Sequence, residues 1–243
     1  EIEKNEKVNV VVPTGNFGNI LAAYFAKQMG VPFGKLICAS NDNKVLYDFF
    51  KTGVYDKNRP FILTSSPSMD ILISSNLERL IYLSTGCDAE ETKKRMEELS
   101  KDGKYSVTDE MRARMADFVG GYADQAANAA EIKRLYDETG YMIDTHTGVA
   151  SCVYHNYVKE TGDTKKTVIA STASPYKFSR SVMEAIFGSE EGKGEFELID
   201  EMEKASGVKI PQAIEEIRKA EIRHNRQCKP EEMEETVKQT FSK

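Results

Sequence analysis

The sequence predicts an α/β protein built on a parallel β-sheet, and features of its first 90 residues indicate this fold class. Val8–Val12 and Lys35–Ala39 are apolar runs predicted to be buried strands, and a stretch of helical periodicity follows each of them. Near-continuous apolar runs are typical of parallel strands that are buried on both faces. Strands that alternate with helices over short connections predict helices packed on the faces of one sheet.

The helix after the first strand is predicted over Ile20–Met29, because Gly30 and Pro32 then interrupt the pattern. The helix after the second strand is predicted in "NKVLYDFFKTG" and ends at Gly53. A short third strand is predicted over Phe61–Thr64.

Helix-capping patterns predict where three later elements begin. Ser66 and Pro67 have the residue types preferred at an N-cap and at the first helical position. Ser75 and Glu78 have the spacing of a capping box before "RLIYLS". Asp144 is predicted to cap a helix that begins in "DTHTG".

These elements predict four regions along the chain. Residues 1–87 form an α/β part, residues 88–140 a helical insertion, residues 141–188 a continuation of the α/β part, and residues 189–243 a helical C-terminal tail. The charged, amphipathic character of the second and fourth regions indicates helices with solvated faces.

Composition excludes several classes of function. The chain has 243 residues and a net charge of −6, which argues against a nucleic-acid partner. No apolar run approaches the roughly 18–20 residues of a membrane span, so no membrane partner is expected. The few histidines lack metal-ligand spacing, and the cysteines show no paired spacing, which predicts no metal site and a reducing, cytoplasmic location. The four cysteines are Cys38, Cys87, Cys152 and Cys228.

The turn "VPTGNFGN" joins the first strand to the first helix, and its composition suits an anion site. The first N–H groups of a helix have no intrahelical partner, and the helix dipole places partial positive charge there. Gly15 and Gly18 would let the backbone approach a phosphate closely. Neither the P-loop pattern nor the dinucleotide pattern is present, and a tight turn without a ligand explains the same residues.

Five segments together are more specific than this turn. In order along the chain, they are "VPTGNFGNILAAYFAKQMG", "ASNDNKVLYDFFKTG", "SPSMDILISSNLERL", "DTHTGVA" and "ASTASPYKF". They resemble threonine synthase, an enzyme of the fold-type II pyridoxal-phosphate group, over residues 8 to 187. The tail "MEKASGVKIPQAIEEIRKAEIRH" also resembles the C-terminus of that family. The resemblance implies the parallel-sheet large domain of a fold-type II enzyme.

The resemblance implies site residues that bind pyridoxal 5′-phosphate. The backbone amides of the loop would hold the cofactor phosphate, and the hydroxyl of Thr172 would face the pyridine nitrogen. A hydroxyl at that place supports a neutral pyridine ring, whereas an aspartate would keep it protonated. Without the resemblance, the residues favour a threonine at the end of a strand that bonds locally to the backbone. The loop residues are Gly15, Asn16, Phe17, Gly18 and Asn19.

Three further features have two readings each. Lys177 either binds the substrate phosphate or is a surface lysine. The segment Ser66–Asp70 belongs to the family pattern, although helix capping accounts for it. His146 either lies near the cofactor or is a buried structural histidine.

The family's Schiff-base lysine lies in a Ser-Phe-Lys-Asp-like segment upstream of the glycine-rich loop, and this sequence contains no such segment. The sequence also begins with Glu1 and soon enters an apolar strand. We therefore expect it to be the C-terminal half of the enzyme, with the missing N-terminal half as its partner.

The resemblance implies that the intact protein converts O-phospho-L-homoserine and water to L-threonine and phosphate, and that this chain alone is inactive. Two alternatives stay open. One is another fold-type II lyase that performs β-elimination or β-replacement. The other is a non-catalytic relative that binds a phosphorylated metabolite.

Overall fold

The computed structural model describes residues 2–242. The strands are β1 (Val8–Pro13), β2 (Phe33–Ser40), β3 (Val54–Asp56), β4 (Lys104–Ser106), β5 (Phe118–Tyr122) and β6 (Thr167–Ile169). The α-helices are α1 (Gly18–Gln28), α2 (Val45–Thr52), α3 (Leu77–Ser84), α4 (Ala89–Asp102), α5 (Asp109–Arg114), α6 (Gln125–Thr139), α7 (Thr145–Thr161), α8 (Ser179–Phe187), α9 (Glu195–Ser206), α10 (Gln212–Lys219) and α11 (Met233–Phe241).

Four strands form a parallel sheet in the order β5-β2-β1-β6. All six residues of β1 are buried, as expected for a central strand. Chain order advances from β1 through β2 to β5 on one side, and the last strand, β6, pairs with the other side of β1. The strand order therefore reverses between β1 and β6, and ligands of open α/β sheets bind outside the carboxyl ends of strands at such a point.

Alternate residues of the central strands supply cores on both faces of the sheet. On one face, Val10 and Val12 pack among side chains of α1, α2 and α3. On the other face, Val11 and Ile37 pack against α7. Gly121 allows this second contact to be close, because a Cβ atom there would lie 2.4 Å from Cγ1 of Val153.

The expected α/β class with a parallel sheet is confirmed, and the first two strands and their helices lie within a few residues of their predicted positions. The third strand was predicted wrongly, because Phe61–Thr64 pairs with no strand among residues 2–242. The backbone N–H of Ile62 donates to Asn43 Oδ1 at 3.0 Å, and that of Thr64 donates to Asp70 Oδ2 at 2.8 Å. Side chains thus take the hydrogen bonds that a sheet partner would make.

The predicted helix start at Ser66 is only a 3₁₀ turn over Pro67–Met69. The capping box at Ser75 and Glu78 does not form, since α3 begins after Asn76 without a side-chain cap. In contrast, the carboxylate of Asp144 does cap α7 by accepting backbone N–H groups of its first turn.

Residues 88–140, expected to be a mostly helical insertion, contain two strands besides their helices. They contain β4, which pairs antiparallel with β3, and β5, which is an edge strand of the main sheet. Two glycines in "FVGGY" made this strand hard to predict from the sequence.

The chain divides into two compact units, the first ending at Val208 and the second beginning at Lys209. This division lies later than the expected start of the tail at residue 189. Helix α9 belongs to the first unit, and its residues Leu198, Ile199 and Met202 are buried. The second unit contains α10 and α11. No helix within residues 2–242 is long and apolar enough to cross a membrane.

Phe17 connects the loop after β1 to the core. Its φ of 64° is uncommon for a residue other than glycine, yet its side chain is only 1% exposed. The ring centroid lies 5.5 Å from that of Phe118 and 6.0 Å from that of Phe50. Burial of the ring therefore holds the backbone in a left-handed conformation.

We predict that Phe17→Ala lowers the free energy of unfolding by about 3–5 kcal/mol, because it opens a cavity between aromatic rings. Phe25→Ala is the matched control, since Phe25 lies on α1 with 43% of its surface exposed, and it should cost less than about 1 kcal/mol. Urea denaturation of both variants measures the difference. Equal losses would show that Phe17 is no anchor.

Candidate functional site

The candidate site lies where β1 and β6 end beside one another. Val11 is paired with Ile169, and the N–H of Ala170 donates to the carbonyl of Val11 at 2.9 Å. The loop that contains Gly15 follows β1, and the segment that contains Thr172 follows β6. Both segments therefore leave the sheet at the reversal of strand order, so the two expected parts of the site lie at the same edge of the sheet.

The loop after β1 exposes backbone donors. Within residues 2–242, the N–H groups of Asn16, Phe17, Gly18 and Asn19 make no hydrogen bond. The helical hydrogen bonds of α1 begin with the N–H of Leu21, which donates to Phe17 O at 3.1 Å. Consecutive unpaired N–H groups at a helix N-terminus form a binding site for an anion.

The carbonyl groups of the same loop are already paired. Ser74 Oγ donates to Gly15 O at 2.7 Å, and Asn76 Nδ2 donates to Asn16 O at 2.8 Å. In a trans peptide, the C=O of one residue and the N–H of the next point in opposite directions. The N–H groups of Asn16 and Phe17 are therefore directed away from Ser74 and Asn76 and remain available to a ligand.

Gly15 is required by close packing. A Cβ atom at this position would lie 2.6 Å from the backbone oxygen of Ser68 and 3.2 Å from Met69 Cα. At Gly18, the nearest atom would be Asn76 Nδ2 at 3.4 Å, an ordinary contact. Of the two loop glycines, Gly15 is thus the one that the surrounding backbone demands.

The segment Ser66–Asp70, which packs against Gly15, is held by a buried polar cluster at the end of β2. Asp70 Oδ1 accepts hydrogen bonds from Asn41 Nδ2 at 2.7 Å, Asn43 Nδ2 at 3.1 Å and Thr64 Oγ1 at 2.7 Å. This cluster explains the segment better than the helix capping suggested by its sequence.

His146 is buried beside the same segment. The backbone N–H of Ser68 donates to His146 Nε2 at 3.1 Å, and Nδ1 lies 3.1 Å from Asp144 Oδ1. Nε2 is therefore the bare nitrogen, and Nδ1 carries the proton donated to Asp144. The ring centroid of Phe178 lies 4.7 Å from that of His146.

Asp144 is a fully buried carboxylate with several donors. Burial by itself raises the pKa of Asp144, but hydrogen bonds from the side chains and backbone of His146 and Thr147 outweigh it and hold the pKa below its ordinary value. The hydroxyl of Thr147, whose proton is donated to Asp144, also lies 3.3 Å from Ser171 Oγ, next to Thr172. The start of α7 thereby contacts both segments of the site.

Thr172 and Lys177 are exposed residues of the segment after β6. The Lys177 ammonium lies 5.6 Å from the centroid of the Phe178 ring. No hydrogen-bond partner of the Thr172 hydroxyl occurs in the described part of the chain. Sequence reasoning missed Ser74 and Asn76, because a single serine or asparagine carries no signal of a distant carbonyl partner.

Comparison with known proteins identifies the fold. The family model described as "Threonine synthase, C-terminal" matches residues 147–239. The threonine synthase of Saccharomyces cerevisiae is 36% identical over 221 residues, covering 84% of this chain and 43% of the relative. Human threonine synthase-like 1 is 41% identical over 181 residues, covering 74% of this chain and 24% of the relative.

The crystal structure of PLP-bound threonine synthase from Brucella melitensis superimposes with a TM-score of 0.71 at 32% identity, covering 84% of this chain and 46% of that chain. This chain thus spans less than half the length of these relatives. Its parallel sheet is of the class found in fold-type II pyridoxal-phosphate enzymes. Within that class, the chain is a homologue of the threonine synthases and matches part of them.

We predict that the stability of the site depends on pH through Asp144. A carboxyl group with a lowered pKa stabilises the fold above its ordinary pKa of about 4, and this contribution is lost as the pH falls through the folded-state value. Asp144→Asn keeps a capping residue but has no charge to lose. Urea denaturation between pH 7 and pH 3 should show the wild-type advantage shrinking below about pH 4; a constant advantage would contradict this.

Proposed function

We propose that this chain provides the phosphate-binding cradle of a threonine synthase, which binds pyridoxal 5′-phosphate. The observation that carries the proposal is the run of unpaired N–H groups from Asn16 to Asn19, at the reversal of strand order in a threonine synthase homologue. Each hydrogen bond to a charged group contributes about 1.5–3 kcal/mol. Several of them could hold a phosphate dianion without a lysine.

The chain's own residues fit this cofactor. The loop amides would bind its phosphate, since the carbonyl groups are turned away and Gly15 lets the loop pack closely on the backbone of Ser68. Thr172 would place its hydroxyl at the pyridine nitrogen, as the resemblance implies. When bound, pyridoxal phosphate supplies an electron sink for a carbanion on the substrate.

The proposed reaction of the longer protein that contains this segment is the conversion of O-phospho-L-homoserine and water to L-threonine and phosphate. Homology to threonine synthases supports it. The Schiff-base lysine is proposed to lie on a segment outside these 243 residues, so the chain alone would not turn over substrate. The four thiols are free, which supports a reducing, cytoplasmic location.

We predict that the chain binds pyridoxal phosphate more tightly than pyridoxal, which lacks the phosphate. Gly15→Ala should weaken binding by at least about tenfold, because the new Cβ would collide with backbone and displace the loop. Gly18→Ala is the matched control with a smaller effect, since its Cβ would make only an ordinary contact. Titration followed by cofactor absorbance measures the affinity of the wild type for both ligands and of each variant for pyridoxal phosphate. Equal binding of the two ligands would refute the cradle.

The reaction itself is tested with the longer protein, pyridoxal phosphate and O-phospho-L-homoserine, by quantifying phosphate and threonine together. We expect equal amounts of both products, and neither product from the 243-residue chain alone. Phosphate without threonine would instead indicate a β-elimination enzyme. Neither product from the longer protein would favour a metabolite-binding relative.

Lys177 is proposed to bind the phosphate of the substrate. Its neighbour Phe178 contacts His146, which supports a position of the lysine near the cradle. In the longer protein, Lys177→Gln should raise the KM for O-phospho-L-homoserine by about tenfold to a hundredfold, and Lys177→Arg should restore most of the affinity because it restores the charge. An unchanged KM in the glutamine variant would mean that Lys177 is a surface residue.

A further inference from the structure

His146 lies between the start of α7 and the segment that packs on the loop. Its side chain is buried and has a partner at each nitrogen, Asp144 on one side and the N–H of Ser68 on the other. Asp144 is itself fixed, because it also caps α7 through the N–H groups of His146 and Thr147. The imidazole therefore stands on a rigid helix terminus and reaches toward Ser68.

Ser68 packs directly against the loop after β1, at Gly15. Its backbone oxygen occupies the space beside Gly15 where any other residue would place a Cβ atom. A hydrogen bond to the N–H of Ser68 controls the position of that residue, and the carbonyl of the same residue contacts Gly15. Only Ser68 therefore lies between the hydrogen bond at His146 Nε2 and the phosphate cradle.

We propose that His146 is a positioning residue for the phosphate cradle. The neutral imidazole, with its proton on Nδ1, holds Ser68 against Gly15, so that the N–H groups of Asn16 to Asn19 stay directed at the ligand. This role rests on the proposed function for its purpose, but the link between His146 and loop order can be measured without a ligand. Phe178 covers one face of the ring and limits its movement.

Two substitutions separate the acceptor from the rest of the side chain. The side-chain amide of asparagine lies at the reach of Nδ1, so His146→Asn can still contact Asp144 but offers no acceptor to Ser68. The side chain of glutamine reaches the place of Nε2, so His146→Gln supplies an oxygen that accepts from Ser68. Both variants lose the ring contact with Phe178, and a purely structural role would therefore affect them alike.

The experiment uses ¹⁵N-labelled protein and inorganic phosphate as the probe. We expect His146→Asn to lower the heteronuclear NOE of the amides from Gly15 to Asn19 and to weaken phosphate binding by about tenfold. His146→Gln should restore loop order and bring affinity within about threefold of wild type. His155→Asn is the control, because His155 lies nine residues further along α7 with an exposed side chain.

A measurement on the wild type covers the case in which a variant fails to fold. A nitrogen–nitrogen coupling across the hydrogen bond should link the Ser68 amide to His146 Nε2, with the proton of the ring on Nδ1. A ring protonated at Nε2 would overturn the proposal, as would ordered loops with wild-type affinity in both variants. Absence of phosphate binding in the wild type, with loop order still dependent on His146, would reject the proposed function but not the positioning role.

Discussion

The candidate site depends on the orientation of the peptide planes after β1. Side chains that lie opposite the unpaired N–H groups donate hydrogen bonds to the carbonyl groups and hold these planes in one orientation. Ser74 Oγ donates a hydrogen bond to the carbonyl of Gly15, and Asn76 Nδ2 donates one to the carbonyl of Asn16. Planar trans peptides then direct the next N–H groups to the opposite side. With the carbonyl groups free to turn, the same loop would present acceptors as well as donors, and an anion would not be favoured there.

The loop is held from three directions. Phe17 anchors it in the core on one side of the sheet, the segment Ser66–Asp70 packs on Gly15, and the start of α7 contacts that segment through His146. The donors of the site are backbone N–H groups, so the sequence of the loop itself does not indicate which groups they meet. Its geometry comes from side chains distant along the chain.

Two carboxylates, one partly buried and one fully buried, serve this arrangement as hydrogen-bond acceptors. Asp70 accepts hydrogen bonds from the side-chain amides of Asn41 and Asn43, and Asp144 accepts them from donors at the start of α7. A carboxylate that accepts several hydrogen bonds gives the donors around it fixed positions. Both groups therefore shape the backbone around the cradle, and their hydrogen-bonding capacity is used for that purpose.

The sequence by itself determined the parallel sheet, its first two βα units and the cap at Asp144, because these follow from apolar periodicity and local residue preferences. It also indicated the loop Gly15–Asn19 through a pattern of motifs. Only the tertiary structure decided that Phe61–Thr64 is no strand and that β5 joins the sheet, since both depend on hydrogen bonds to distant partners. The contacts of Ser74, Asn76 and His146 are likewise long-range, and no local pattern encodes which carbonyl or amide each of them meets.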